Sequence, residues 1–124
     1  MRFISTRLHA IIDYASGVLF IAAPYLFGFA DGTAAQYVPQ ALGAGILLMS
    51  LITDYELSFA RLIPVPVHLM VDVGGGLLLA ASPWLFGFAD RVYWPHLIFG
   101  LAEMGAGLMT RTTPDDTRLT TSRA

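Results

Sequence analysis

Residues 37–53 read YVPQALGAGILLMSLIT. None of these side chains is charged, and apolar groups fall on every side of the helix they would form. A helix on the surface of a soluble bundle needs a polar face with charges at helical spacing. This segment has none, so it reads as a membrane span. A hydrocarbon core about 30 Å thick takes roughly 20 apolar residues in a helix, and three further segments fit that description. Residues 8–29, LHAIIDYASGVLFIAAPYLFGF, hold only His9 and Asp13 as strongly polar groups. Residues 65–88 again hold one His and one Asp, His68 and Asp72. Residues 93–110 carry His96 near the start and Glu103 near the middle. Polar punctuation at 30–36, 54–61 and 89–92 separates the four, and residues 111–124 form a polar tail expected to fray.

Composition agrees with a membrane chain. The 124 residues are 56% hydrophobic and 13% charged, and the mean hydropathy is +0.64. A soluble domain carries about 25% charged residues. Disorder is excluded, because it needs low hydrophobicity and high net charge. A net charge of −2 offers no basic surface for nucleic acid. With no cysteine there is no disulfide framework, zinc-thiolate site or iron–sulfur cluster.

The chain repeats itself. At an offset of 59 residues Arg2 falls on Arg61, Ile4 on Ile63, His9 on His68, Asp13 on Asp72 and Gly17 on Gly76. The run from Pro24 to Asp31, PYLFGFAD, falls on Pro83 to Asp90, PWLFGFAD. In all, 14 of 30 aligned positions are identical. After a three-residue gap, Tyr37-Val38-Pro39 meets Tyr93-Trp94-Pro95, which pairs Glu103 with Leu47. The arginine-bearing start could suggest a signal peptide, but its recurrence in the third span argues that the first is structure. The unit is two spans, so both copies enter the membrane in the same direction. A parallel repeat implies a pseudo-two-fold axis along the membrane normal. The expected fold is all-α: a polytopic membrane protein of four transmembrane helices in two parallel two-helix repeats. Residues 2–54 and 61–110 are the repeats of one domain spanning 1–110.

SPWLFGF at 82–88, its partner APYLFGF at 23–29, and the His-x3-Asp-x3-Gly before each resemble the SPW-repeat family of small bacterial membrane proteins. The resemblance covers roughly residues 2–110 and implies a polytopic membrane location. It implies no activity. The first copy departs from the tripeptide, with Ala23 for Ser and Tyr25 for Trp.

Arginine placement sets the expected orientation. Arg2, Arg7, Arg61, Arg111, Arg118 and Arg123 lie on one side, and only Arg91 on the other. Both termini are therefore expected on the cytoplasmic side of an inner membrane. Tyr25, Tyr37, Trp84, Tyr93 and Trp94 would then mark the outer boundary.

Ionisable groups inside a membrane are functional candidates. His9 and Asp13, and His68 and Asp72, stand four apart and share a helix face within each pair. Three readings stay open. The pairs could be polar glue between helices. They could line a proton or cation site. They could hold a metal or haem, with the two histidines as axial ligands, although adjacent aspartates suit a hydrated cation better than a porphyrin pocket. No metal ligand is assigned at this level, and the cofactor is unknown. Glu103 is read as a buried acid that hydrogen-bonds a neighbour, or as a proton carrier or partner contact. His96 is expected in the outer interface.

Gly17, Gly43, Gly45 and Gly76 are read as helix-packing positions, because small residues let helices approach closely in lipid. Pro24-Tyr25 and Pro83-Trp84 are read as interfacial motifs where the helix breaks and an aromatic hook begins. No nucleotide-binding glycine pattern occurs, and nothing places a nucleophile beside a base. The leading functional reading is a non-enzymatic structural or accessory component of a membrane assembly, meeting lipid and a protein partner or a second copy. The alternative is a small proton- or cation-conducting transporter using His9, Asp13, His68 and Asp72, or a haem- or metal-binding protein.

Overall fold

The structure, a computed structural model, describes residues 2–113. Most of the tail expected at 111–124 lies outside them. Among the described residues there are four helices: α1 (Thr6–Leu26), α2 (Ala34–Ile52), α3 (Val65–Leu85) and α4 (Trp94–Met109). The first three are long and apolar enough to cross a membrane. The fourth has 16 residues, or about 24 Å at 1.5 Å per residue. Its start is cut short relative to α2, and both end at equivalent points.

α1 pairs with α2 and α3 with α4 as antiparallel hairpins. Glycine makes each crossing close. A Cβ on Gly43 would stand 2.7 Å from the Gly17 carbonyl oxygen, and one on Gly76 would stand 2.6 Å from the Gly100 carbonyl oxygen. Gly17, Gly43 and Gly76 therefore sit at crossings. Gly45 does not: no atom stands within 4 Å of where its Cβ would be. Two residues is about 200° of helix, which turns Gly45 away from α1.

The crossings also fix the repeat register. Gly43 is equivalent to Gly100 and Thr53 to Thr110, an offset of 57. The sequence alignment through Pro39 and Pro95 used 56 and is one residue out. The shorter start of α4 absorbs the difference. Glu103 is thus the counterpart of Ile46, not Leu47.

The proline motifs act differently from the expected break. α1 runs through Pro24 to Leu26, and α3 runs through Pro83 to Leu85. Each then ends in a glycine of positive φ, Gly28 at 75° and Gly87 at 76°. The Phe29 amide donates to the Pro24 carbonyl and the Phe88 amide to the Pro83 carbonyl. That bond, from the second residue past the cap to the last turn, closes a Schellman ending. Tyr25 and Trp84 stay exposed on the rim, while Phe29 and Phe88 turn inward and are buried. They clasp the His96 ring at centroid distances of 4.9 and 4.8 Å. His96 is therefore buried, not interfacial, and its Nε2 donates to the Ala35 carbonyl at 2.8 Å.

Proline strips the carbonyl four residues back of its helical donor, and a nearby side chain can serve it instead. In α3 that carbonyl is Leu79, and the Ser82 hydroxyl donates to it at 2.7 Å. This is the physical use of serine in Ser-Pro-Trp. Ser82→Ala should leave the buried carbonyl unserved and lower stability by about 1 kcal/mol. Thermal unfolding in detergent, compared with the wild type, measures it.

Candidate functional site

The pseudo-two-fold brings the two His–Asp pairs face to face. Both lie near the helix starts, with Asp13 about 10 Å along α1. His9 Nε2 is 3.1 Å from Asp13 Oδ1 and 2.7 Å from Asp72 Oδ2. His68 Nε2 is 2.8 Å from Asp13 Oδ2 and 3.2 Å from Asp72 Oδ2. The four side chains form a closed ring of alternating imidazole and carboxylate, wholly buried. Within each helix the pair spans i and i+4, as the spacing implied. The shorter contacts run between repeats.

Two threonines complete the ring. Thr110 Oγ1 stands 2.6 Å from His9 Nδ1, and Thr53 Oγ1 stands 2.6 Å from His68 Nδ1. Each hydroxyl spends its own hydrogen on a helix carbonyl, Ala106 for Thr110 and Met49 for Thr53. A hydroxyl has one hydrogen. Both threonines must therefore accept from the imidazole, so both Nδ1 atoms carry hydrogen and both Nε2 atoms face the carboxylates.

The same end is tied by the backbone. Ile4 pairs with Thr110 in an isolated bridge, and Thr53 pairs with Ile63 in its equivalent. Arg2 reinforces the first, donating to the Thr110 carbonyl at 2.7 Å. At the opposite end Arg91 of the second repeat pairs with Asp31 of the first at 2.6 Å.

The two aspartates have unlike neighbours. Asp13 accepts from Tyr55 at 3.2 Å and from Ser50 at 3.4 Å. Tyr55 lies across both imidazoles, 5.8 Å from the His9 ring and 5.0 Å from the His68 ring. Burial first, then the nearby carboxylates, hold its phenol well above its ordinary value, so it serves as a donor. Asp72 has Gly107 where Asp13 has Ser50, and Glu103 lines the same cavity beside it. Glu103 and Asp72 form the inner end of an apolar cavity of about 140 Å³ between α2 and α3, walled by Leu42, Gly45, Val71 and Gly75. The haem reading finds no support in this geometry. The imidazoles stand edge-on at 5.9 Å, and carboxylates fill the space where a porphyrin would lie.

His9, Asp13, His68, Asp72 and Glu103 thus form one connected group. Sequence reasoning missed Thr53, Thr110 and Tyr55. Thr53 and Thr110 do share a sequence signal, each standing at the end of the second helix of its repeat.

The fold and its polar centre define a class: an internally duplicated, all-helical integral membrane protein with ionisable groups buried inside its helical bundle. The family model for the SPW repeat domain matches residues 7–110. The chain belongs to that family. No curated protein and no solved structure matches it.

Proposed function

We propose that this chain is a non-enzymatic structural or accessory component of a larger assembly in the bacterial inner membrane, with both termini cytoplasmic. The observation that supports it most is a set of glycines without an internal use. Gly74 and Gly105 lie inside helices, yet among the described residues nothing stands within 4 Å of where their Cβ atoms would be. Glycine in a helix interior costs about 1 kcal/mol relative to alanine. A flat glycine face repays that cost when another helix lies on it. The protein's own crossings use other glycines, so these two support contact with a second chain. Excess arginine at the end that holds the ring supports the orientation.

Gentle detergent purification from native membranes, with quantitative mass spectrometry, tests the proposal. A stoichiometric partner or a homo-oligomer is expected. Gly74→Leu and Gly105→Leu should each deplete it at least several-fold, while Asp72→Asn leaves it in place. A monomer free of partners overturns the reading. Flux in liposomes that vanishes in Asp13→Asn or Asp72→Asn would replace it with the transport alternative.

A further inference from the structure

We propose that His9, Asp13, His68 and Asp72 form a buried binding site for one divalent transition-metal ion of the zinc class. This goes beyond the accessory role and does not depend on it. One ligand atom from each residue lies within 4.8 Å of the others. Ligands around Zn²⁺ stand about 2.0–2.2 Å from the metal. Donors around such an ion are separated by about 3.3–3.6 Å, between the 2.7–3.2 Å contacts of the ring, which use both Asp13 oxygens, and the 4.8 Å outer limit.

Direction carries the case further than distance. His68 Nε2 and Asp13 Oδ1 are fully buried and have no hydrogen-bond partner, despite carboxylate or imidazole atoms at 2.8 and 3.1 Å. Among the described residues neither atom is aligned for a hydrogen bond with its near neighbour, so each is left with an unused ligating position. The tautomers suit ligation. With Nδ1 donating to threonine, each neutral imidazole offers the Nε2 lone pair inward. Metal-binding histidines characteristically donate their other N–H to an outer acceptor, and ligating carboxylates accept from outer donors. Thr110 and Thr53 supply the first, and Tyr55 and Ser50 donate to Asp13.

Charge balances as well. Two neutral imidazoles, two carboxylates and one divalent ion sum to zero, as a low-dielectric site requires. Without metal the ring reaches the same sum by holding two protons. Binding is then an exchange: one divalent ion enters, and two protons leave. Four donors including two nitrogens suit Zn²⁺. Ca²⁺ takes 6–8 oxygens, and Mg²⁺ keeps water in an octahedron.

The test uses the full chain, expressed with added Zn²⁺ and purified in detergent without chelator. Elemental analysis should find about one zinc per chain. The protein reconstituted with Co²⁺ should show the visible bands of a four-coordinate N/O site. Mg²⁺ should not compete. His68→Gln should lose the metal. Because that variant could also fail to fold, Thr110→Val and Thr53→Val are made beside it. Each keeps the ligands and should weaken Zn²⁺ binding by about 10- to 100-fold. A folded wild-type protein that takes up neither ion overturns the proposal. So does unchanged affinity in both threonine variants, or Mg²⁺ binding as tight as Zn²⁺.

Discussion

Gly100→Ala should be among the most damaging single substitutions in this protein. An added Cβ would run into the Gly76 carbonyl oxygen and the Ala80 backbone nitrogen. Neither can swing aside, because both belong to the backbone of α3. The alternative is for α4 to move off α3 as a unit. That loosens the Gly107 contact, where Leu69 and Val73 pack closely, and draws Thr110 away from His9. Overpacking in a tight interior costs typically 1–3 kcal/mol, occasionally more. Here rigid backbone on both sides places the cost at about 3 kcal/mol. Denaturation of detergent-solubilised protein, followed by helical circular dichroism, should show this loss. Gly105→Ala on the open face of the same helix should cost nothing and gain up to about 1 kcal/mol. Equal behaviour of the two variants would contradict the crossing at Gly100.

Asp72→Ala should rank beside it. The substitution removes the 2.7 Å partner of His9 and the neighbour of Glu103 in one step. Asp13 is then left to serve both imidazoles. Breaking a buried pair by deleting one member costs about 3–5 kcal/mol, because the survivor stays buried without compensation. Asp72→Asn keeps the shape and one carbonyl acceptor and should lose less. A cycle with His9→Leu separates the pair from its parts. If the ring acts as a unit, the double variant should be far more stable than the two single losses predict. Strict additivity would show that the two side chains act independently.

Much of this was legible because membranes impose simple rules. The uncharged run at 37–53 and the matched His-x3-Asp-x3-Gly units carry both the helical fold and the duplication. What the sequence withheld was pairing between repeats. The i, i+4 spacing places His9 beside Asp13, but nothing in it says that Asp72 comes closer. The threonines were hidden for a related reason. At the end of an apolar segment a Thr reads as the edge of a span, and only the fold brings Thr110 back to His9. The prolines misled because each helix runs on through its proline for two more residues; in α3 Ser82 serves the freed carbonyl, whereas α1 passes Pro24 with Ala23 in that place. The single-residue error in register came from anchoring on Pro39 and Pro95, which lie in helix starts of unequal length. Burial of Gly43 and Gly100 at equivalent crossings corrects it. His96 was misplaced because its position near a helix start suggested the interface, while the two Phe hooks that cover it come from distant parts of the chain.

The twin bridges, Ile4 with Thr110 and Thr53 with Ile63, give the molecule an unusual indifference to chain order. Around the axis, the passage from α4 back to α1 has the same backbone geometry as the passage from α2 to α3. The helices are in effect beads on a closed loop, and the peptide needs to be continuous through only three of the four gaps. Joining residue 110 to residue 4 through a segment like 54–62, and opening the chain within 54–62, would circularly permute the protein. The order α3-α4-α1-α2 would keep the ring, both glycine crossings and both bridges.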